Sequence, residues 1–334
     1  MLLLALFILG TQVGSFLNVC IWRLPRGESI VHPPSHCPRC NTRLRFADLV
    51  PLLSQLLLRA RCRYCGAKIS WRYFGVEFLT GLLFALVGAQ SGNIEGGWWS
   101  GVWVGDPVRL LQGLIFVSAL TVIFWVDYDT RLIQLEAVFM LGLIGVAGEA
   151  WQVWRYGQPL TDGAIFAGWP LLPAPLPQSI LAMVVTATVL WLLRETFSRL
   201  YQKEALGFGD VLLVAGIAAN LGWNATIVTF FFLSVVVGAL VGIGLQIPQA
   251  IKAYRWARQR QRRYGSPKPL PWPLARHVFR RAIPFGPMLA VGAIVALLYG
   301  QRLNTAYLNL WIEPPGSMMQ NATSLNPPSP PPLP

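Results

Sequence analysis

Long apolar segments alternate with shorter polar ones along almost the whole chain. Eight of the apolar segments are long enough, or nearly long enough, to cross a bilayer, which takes about 20 helical residues. They lie at about residues 2–22, 74–90, 108–126, 136–154, 178–193, 208–221, 225–247 and 284–299. This pattern predicts an all-α polytopic membrane protein with about eight transmembrane helices.

The composition supports the same class. Of the 334 residues, 54% are hydrophobic and 12% are charged, and the mean hydropathy is +0.50. Soluble domains carry about twice that share of charged residues. A soluble globular fold is therefore excluded.

The basic residues favour one orientation in the membrane. The chain has 27 Lys and Arg against 14 Asp and Glu, and 23 of the 27 lie in segments 23–72, 194–203 and 252–281. Lys and Arg accumulate in loops that stay in the cytoplasm. We therefore expect these three loops to be cytoplasmic and both termini to lie outside. Anionic membrane lipid accounts for the net charge of +13, so we expect no nucleic-acid partner.

The polar segments also suggest domain boundaries. Basic residues follow the first apolar segment and none precedes it, which indicates a retained span over residues 1–22 rather than a cleaved signal peptide. We expect a cytoplasmic domain over residues 23–73 and a transmembrane domain over residues 74–300. The proline-rich residues 301–334 are expected to form a disordered tail.

The cytoplasmic segment contains two Cys-x-x-Cys pairs separated by 21 residues. Each pair can offer two thiolates from one tight turn, and this spacing is typical of a tetrahedral zinc site. Two disulfides are the alternative, but the reducing cytoplasm favours free thiols. Four thiolates leave no open coordination position, so we expect a small zinc-binding domain in which the metal is structural. Its ligands would be Cys37, Cys40, Cys62 and Cys65.

Acidic residues lie at the edges of two apolar segments. Asp210 ends the sequence Gly207-Phe208-Gly209-Asp210 at the start of the sixth segment, while Asp127 and Asp129 follow the third. Counting membrane crossings puts both positions at the cytoplasmic face. A carboxylate next to hydrocarbon is costly, so two at the same depth favour a functional site over unrelated acids at span ends.

Two carboxylates held close together can share one proton. The ionised one can act as general base on water while the protonated one hydrogen-bonds the scissile carbonyl, which is peptide hydrolysis without a covalent intermediate. Gly207 and Gly209 would let a substrate backbone approach Asp210. Alternatively, Asp210 caps a helix and the glycines are a hinge. A proton-relaying transporter is a further alternative, but its acids would lie nearer the bilayer midplane.

The order of these motifs resembles that of the bacterial type IV prepilin leader peptidases over most of the chain. The first span and the residues directly after it are similar to the N-terminal part of the family's sequences. The remaining motifs follow in the same order as in the family. The matching motifs are Gly14-Ser15-Phe16-Leu17-Asn18-Val19, Arg23-Leu24-Pro25, the two Cys-x-x-Cys pairs, Glu77-Phe78-Leu79-Thr80, the aspartate segment ending in Ile133, and Gly207-Phe208-Gly209-Asp210.

The resemblance implies catalytic aspartates at Asp127 and Asp210. Asp127 is favoured over Asp129 because the family's acid stands six residues before an aliphatic residue, which Ile133 matches. The match departs from the family at two places. Gln134 stands where the family has proline, and Leu212 stands where it usually has lysine.

The resemblance also implies a bifunctional enzyme of the bacterial inner membrane, with its active site facing the cytoplasm. It would cleave the leaders of prepilins or pseudopilins and N-methylate the new terminus with S-adenosylmethionine. The methyltransferase function is associated with the cysteine-bearing region in that family. Two alternatives stay open: a peptidase without methylation, and a non-catalytic assembly factor that presents a zinc knuckle to pilus or secretion proteins.

Overall fold

The computed structural model describes residues 2–91, 107–156, 177–202, 206–264 and 285–312. Residues 92–106 and 157–176, the part of the third basic segment after residue 264 and most of the tail predicted over residues 301–334 lie outside the described residues. The described residues are almost entirely helical. The helices are α1 (Leu2–Arg23), α2 (Leu53–Leu57), α3 (Trp71–Ser91), α4 (Pro107–Thr130), α5 (Leu135–Tyr156), α6 (Gln178–Tyr201), α7 (Phe208–Leu221), α8 (Ala225–Tyr264) and α9 (Gly286–Ile312).

The prediction of an all-α polytopic membrane fold is confirmed. Six of the described helices are long and apolar enough to cross a membrane, and two shorter apolar helices, α7 and the first half of α9, accompany them. The largest difference from the predicted segments is at α8, which extends over 40 residues to Tyr264 instead of ending near residue 247. Its second half is rich in Ala, Gln, Lys and Arg, which have high helix propensity. The helix therefore continues into the basic segment.

Helices α4 and α7 form the centre of the bundle. α4 packs against α1, α3, α5 and α9, and α7 packs against α5 and α6. Phe116 and Leu120 of α4 and Leu213 and Ile217 of α7 are fully buried. α7 has only 14 residues, a rise of about 21 Å against a hydrocarbon thickness of about 30 Å. It can be this short because neighbouring helices cover it.

Two sets of buried hydrogen bonds join four helices at the end of the bundle opposite the aspartates. Gln112 Nε2 of α4 donates to Asn220 Oδ1 of α7 at 3.2 Å, and Asn220 Nδ2 donates to the Leu141 carbonyl of α5 at 2.8 Å. Glu149 of α5 accepts a hydrogen bond from the backbone N–H of Ser179 in α6 at 2.6 Å. Buried polar groups are costly unless they are paired, so these hydrogen bonds fix how the helices pack.

Helices α1 and α3 approach closely at small residues. A Cβ atom at Gly14 of α1 would lie 2.8 Å from the Glu77 Cα atom of α3. Small residues allow this kind of close backbone contact between membrane helices. The approach brings Asn18 Nδ2 to 3.1 Å from the Tyr73 carbonyl, to which it donates. Asn18 of the first span therefore faces a neighbouring helix.

We expect Gly14→Ala to destabilise the fold by about 1–3 kcal/mol, because the added methyl group has to displace the backbone of α3. Gly75→Ala is the matched control, because a Cβ atom there would meet no atom within 4 Å. The control should keep or raise stability, since Ala has the higher helix propensity. Thermal unfolding of the detergent-solubilised protein measures both, and equal melting temperatures for Gly14→Ala and the parent would contradict the close approach.

Candidate active site and metal centre

Asp127 lies inside the bundle rather than just beyond it. From the sequence, the third span is expected to end at Val126, but α4 continues to Thr130. The Asp127 residue is 4% exposed, and its Oδ2 atom is buried without a hydrogen-bond partner of ordinary geometry. A buried carboxylate oxygen without a partner is costly. Such a group is a candidate for a functional role.

Asp129 points away from this position. It is exposed, and its Oδ2 atom forms an ion pair with Nη1 of Arg72 at 2.6 Å. The structure thus distinguishes the two acids that the sequence places side by side. Asp127 is held in the core, while Asp129 serves a surface contact between α4 and α3.

Asp210 lies in the first turn of α7. Gly207 and Gly209 precede it, and the two glycines have different neighbours. A Cβ atom at Gly207, the residue that precedes the helix, would lie 3.2 Å from Asp210 Oδ2. A Cβ atom at Gly209 would lie 3.2 Å from the Cβ atom of Ile133. One glycine therefore leaves room for the carboxylate itself, and the other leaves room for the connection between α4 and α5. Approach of a substrate backbone at these glycines stays a prediction.

The fold brings Asp127 and Asp210 to the same end of the bundle. Their carboxyl groups interact electrostatically. Ile133, six residues after Asp127, packs on Gly209, so the segments around both acids are in contact. A third helix, α9, begins at Gly286 beside the Asp127 carboxylate. The sequence gives no role to α9, since its position becomes apparent only when the helices are packed.

This arrangement is suited to acid–base chemistry. Two carboxylates in low-dielectric surroundings cannot both ionise without a large cost, so they tend to hold one proton between them. One group can then accept a proton while the other donates one. A pair of this kind can activate water and polarise a carbonyl in the same step.

The four cysteines lie in two turns of the same construction. In each turn the N–H of the first cysteine donates to the carbonyl five residues later, at 3.0 Å in the first and 2.8 Å in the second. A residue with positive φ follows each second cysteine, 53° at Asn41 and 68° at Gly66. The two turns are therefore a structural repeat. The two sequences also match in part beyond the cysteines, since Arg43 and Lys68 lie three residues after the second cysteine and Leu44 and Ile69 follow them.

The cysteine side chains are arranged to hold a metal ion. The Sγ atoms of Cys37, Cys40, Cys62 and Cys65 all lie within 4.8 Å of one another, and those of Cys37 and Cys65 are 3.9 Å apart. Sulfur atoms about 2.3 Å from a tetrahedral zinc ion lie about 3.8 Å from one another. All four thiols are free of disulfide bonds. The cluster thus has the geometry of a four-coordinate site.

The thiols also differ in how readily they ionise. A hydrogen bond with the Thr42 side chain and another with its backbone lower the pKa of the Cys40 thiol to about 6. At Cys65, a hydrogen bond with the Ala67 backbone lowers the pKa, but desolvation and hydrogen bonds with the other thiols together raise it to about 11. A divalent ion binds thiolates, so its binding would displace the remaining protons.

Asp48 connects the two halves of the metal-binding segment. Its side chain is 5% exposed and accepts hydrogen bonds from Arg63 Nε at 2.6 Å and from the Tyr64 hydroxyl at 2.8 Å. Both donors lie between Cys62 and Cys65. Burial alone would raise the pKa of Asp48, but hydrogen bonds from Tyr64, the Arg45 amide and Arg63 hold it below its usual value. The sequence gives no indication of this contact, because Asp48 is one of two isolated acids in a basic segment and neither stands in a distinctive pattern.

A contact of the metal-binding segment with α3, and a contact of Arg72 at the start of α3 with α4, place the segment at this end of the bundle. The Leu52 N–H donates to Glu77 Oε2 of α3 at 2.8 Å. Arg72 pairs with Asp129 of α4, and its guanidinium lies 4.4 Å from the ring centroid of Trp125. The four-cysteine segment is therefore attached close to the end of α4 that carries Asp127.

Together these features define a helical membrane protein with one buried and one half-buried carboxylate at one end of its bundle and a four-cysteine centre beside them. Two family models match the chain: the Bacterial Peptidase A24 N-terminal domain over residues 8–91, and the Type IV leader peptidase family over residues 114–243. The metal-binding segment falls in the first match, and both aspartates fall in the second.

Several curated proteins are similar to the chain, each named "Prepilin leader peptidase/N-methyltransferase". The protein of Myxococcus xanthus is 31% identical over 90% of both chains. That of Dickeya chrysanthemi is 35% identical over 67% of this chain and 76% of its own, and that of Bacillus subtilis is 29% identical over 91% and 97%. No solved structure matches. The chain belongs to the type IV leader peptidase family and is a multi-pass membrane protein.

We expect Asp48→Ala to make bound metal easier to remove, because it releases the second cysteine turn from the segment around Asp48. Glu28→Ala is the control, since Glu28 is an exposed acid of the same polar segment. The rate of metal loss to a chelator measures the effect. Equal rates for the two variants would contradict the role of Asp48.

Proposed function

We propose that the protein cleaves the leader peptides of type IV prepilins or pseudopilins with Asp127 and Asp210 as its catalytic dyad, and that it N-methylates the new N-terminus. The observation that carries the proposal is the buried, partly unsatisfied Asp127 carboxylate beside Asp210 in a chain of this family. Its relatives' names give both activities.

In the proposed cleavage, the ionised carboxylate removes a proton from water, and the water oxygen attacks the scissile carbonyl carbon. The protonated carboxyl group donates a hydrogen bond to the carbonyl oxygen as its negative charge develops. Collapse of the tetrahedral intermediate breaks the C–N bond. The leaving nitrogen takes a proton from the dyad, and the pair is left with one shared proton, as at the start.

The proposed substrates fit the depth of this site. Members of the family act on prepilins, whose short basic leader lies in the cytoplasm and whose next segment is an apolar helix in the membrane. The scissile bond would then lie at the inner membrane interface. The distribution of Lys and Arg supports the assignment of the dyad's end of the bundle to the cytoplasmic face of a bacterial inner membrane.

We further propose that Cys37, Cys40, Cys62 and Cys65 hold a structural zinc ion. The spacing of the four Sγ atoms supports this assignment. The small apolar core of the segment also supports it, because small domains of this kind are often stabilised by a bound metal. The methyl donor implied by the family is S-adenosylmethionine, which would supply the methyl group. We assign no residue to its binding.

Asp127→Asn and Asp210→Asn should each lower the rate of leader cleavage by about 100- to 10,000-fold, because an amide can neither accept nor donate the catalytic proton. Cleavage of a prepilin peptide, followed by mass spectrometry, measures this rate. The same spectra report methylation as a mass increase of the mature peptide.

Asp129→Asn is the matched control for these variants. Asp129 is two residues from Asp127 but exposed, so its loss removes only a surface ion pair, and cleavage should stay near the parent rate. Normal cleavage by either Asp127→Asn or Asp210→Asn would refute the dyad. Equal loss in the Asp129 variant would point to structural damage instead.

Cys37→Ser and Cys62→Ser should abolish stoichiometric zinc binding, because each removes one of four thiolate ligands from a different turn. Cys20→Ser is the control, since Cys20 lies in α1 outside the four-cysteine cluster. Elemental analysis of the purified protein measures the zinc content. Unchanged zinc in the cluster variants would exclude the site.

A further inference from the structure

The first residue of α9 lies against the Asp127 carboxylate. Gly286 is buried, and a Cβ atom built on it would lie 2.6 Å from Asp127 Oδ2 and 3.0 Å from Asp127 Cγ. Real Cβ atoms essentially never approach another atom below 3.0 Å. A side chain at this position therefore cannot coexist with the observed position of the carboxylate.

The backbone of Gly286 also faces the same carboxylate. Its N–H interacts with the Asp127 carboxyl group, although Oδ2 itself has no hydrogen bond of ordinary geometry. Because Gly286 is the first residue of α9, no carbonyl of the helix can accept its N–H. The N–H groups of Met288 and Leu289 donate to the Phe285 carbonyl, and Pro287 has no N–H. The Gly286 amide thus points away from its own helix.

From these contacts we infer that Gly286 is a positioning residue for the Asp127 carboxylate. The inference rests on the proposed role of Asp127 in peptide cleavage. α9 sets the carboxylate in place through its first backbone amide and through the missing side chain of Gly286. Three helices, α4, α7 and α9, therefore build the candidate active site. Of these, α9 contributes a backbone amide and no ionisable group.

Two independent observations support this role. The Asp127 residue is 4% exposed, and its Oδ2 atom has no hydrogen-bond partner of ordinary geometry among the described residues, so solvent does not fix its position. The close packing at Gly286 limits where that oxygen can go. N–H groups at a helix start also favour a negatively charged carboxylate.

Gly286→Ala should lower kcat for leader cleavage by about 100-fold, because a misplacement of roughly 1 Å at a catalytic group costs this much. KM should change little, since Gly286 is buried and the added methyl group acts on the Asp127 carboxylate. Methyl transfer to a precleaved pilin peptide should be unchanged, and so should the zinc content. These two readouts report an intact fold.

Gly292→Ala is the matched control in the same helix. A Cβ atom at Gly292 would collide with Ser234 of α8, including its backbone nitrogen at 2.9 Å, so it disturbs the packing of α9 without touching the dyad. This variant should lose stability and keep its kcat. An equal fall in kcat for both variants would overturn the inference, because the effect would then come from helix packing.

A thermodynamic cycle tests the contact without any assay of activity. Gly286→Ala should lower the melting temperature of the parent but not that of Asp127→Ala, in which the side chain that collides with the new methyl group is shorter. The double variant also settles the case in which Gly286→Ala alone does not fold. Equal destabilisation in both backgrounds would overturn the inference.

The outcomes separate this inference from the proposed function. If the Asp127→Asn variant cleaves at the parent rate, the proposed catalytic dyad is refuted, whatever the thermodynamic cycle shows. If both aspartate variants are inactive while Gly286→Ala keeps its full kcat, the dyad stands and the positioning role of Gly286 fails.

Discussion

Two carboxylates that lie close together inside an apolar bundle lose hydration and repel each other, and the rest of the fold has to offset both costs. Asp127 is buried and Asp210 is half-buried, at one end of the two helices that form the centre of the bundle. Around them, the packing of Ile133 on Gly209 and the start of α9 limit how the two acids can move. The opposite end of the same helices is fixed by the buried network around Gln112 and Asn220. Contacts at both ends of α4 and α7 therefore hold the two helices that carry the site.

Glycine contributes to this site by leaving room rather than by flexibility. At Gly207, Gly209 and Gly286 a side chain would meet a carboxylate or the neighbouring segment within 3.2 Å. The same principle operates between α1 and α3 at Gly14. Because helix backbones can approach only where side chains are small, these positions decide how close the polar groups of different helices come. The geometry of the proposed active site therefore depends on the absence of side chains at these glycines as well as on the two carboxylates.

The four-cysteine segment and the carboxylate site are physically connected. Leu52 binds Glu77 of α3, and Arg72 joins the start of α3 to Asp129 at the end of α4. The segment has little apolar core of its own, so a bound metal ion and these contacts together would fix its position. A newly cleaved terminus at the dyad would consequently lie near the segment that the family associates with methyl transfer.

Much of the fold could be predicted from the sequence, because the bilayer requires long apolar helices and the cytoplasm attracts basic loops. Local spacing also predicted the cysteine cluster, since two tight turns suffice to group the thiols. The choice between Asp127 and Asp129 rested on family resemblance, and only packing separates a buried carboxylate from an exposed one two residues away. The roles of Asp48, Glu77 and Gly286 were likewise decided by the tertiary structure. Each depends on contact between distant segments, and no local pattern of hydrophobicity or charge records such a contact.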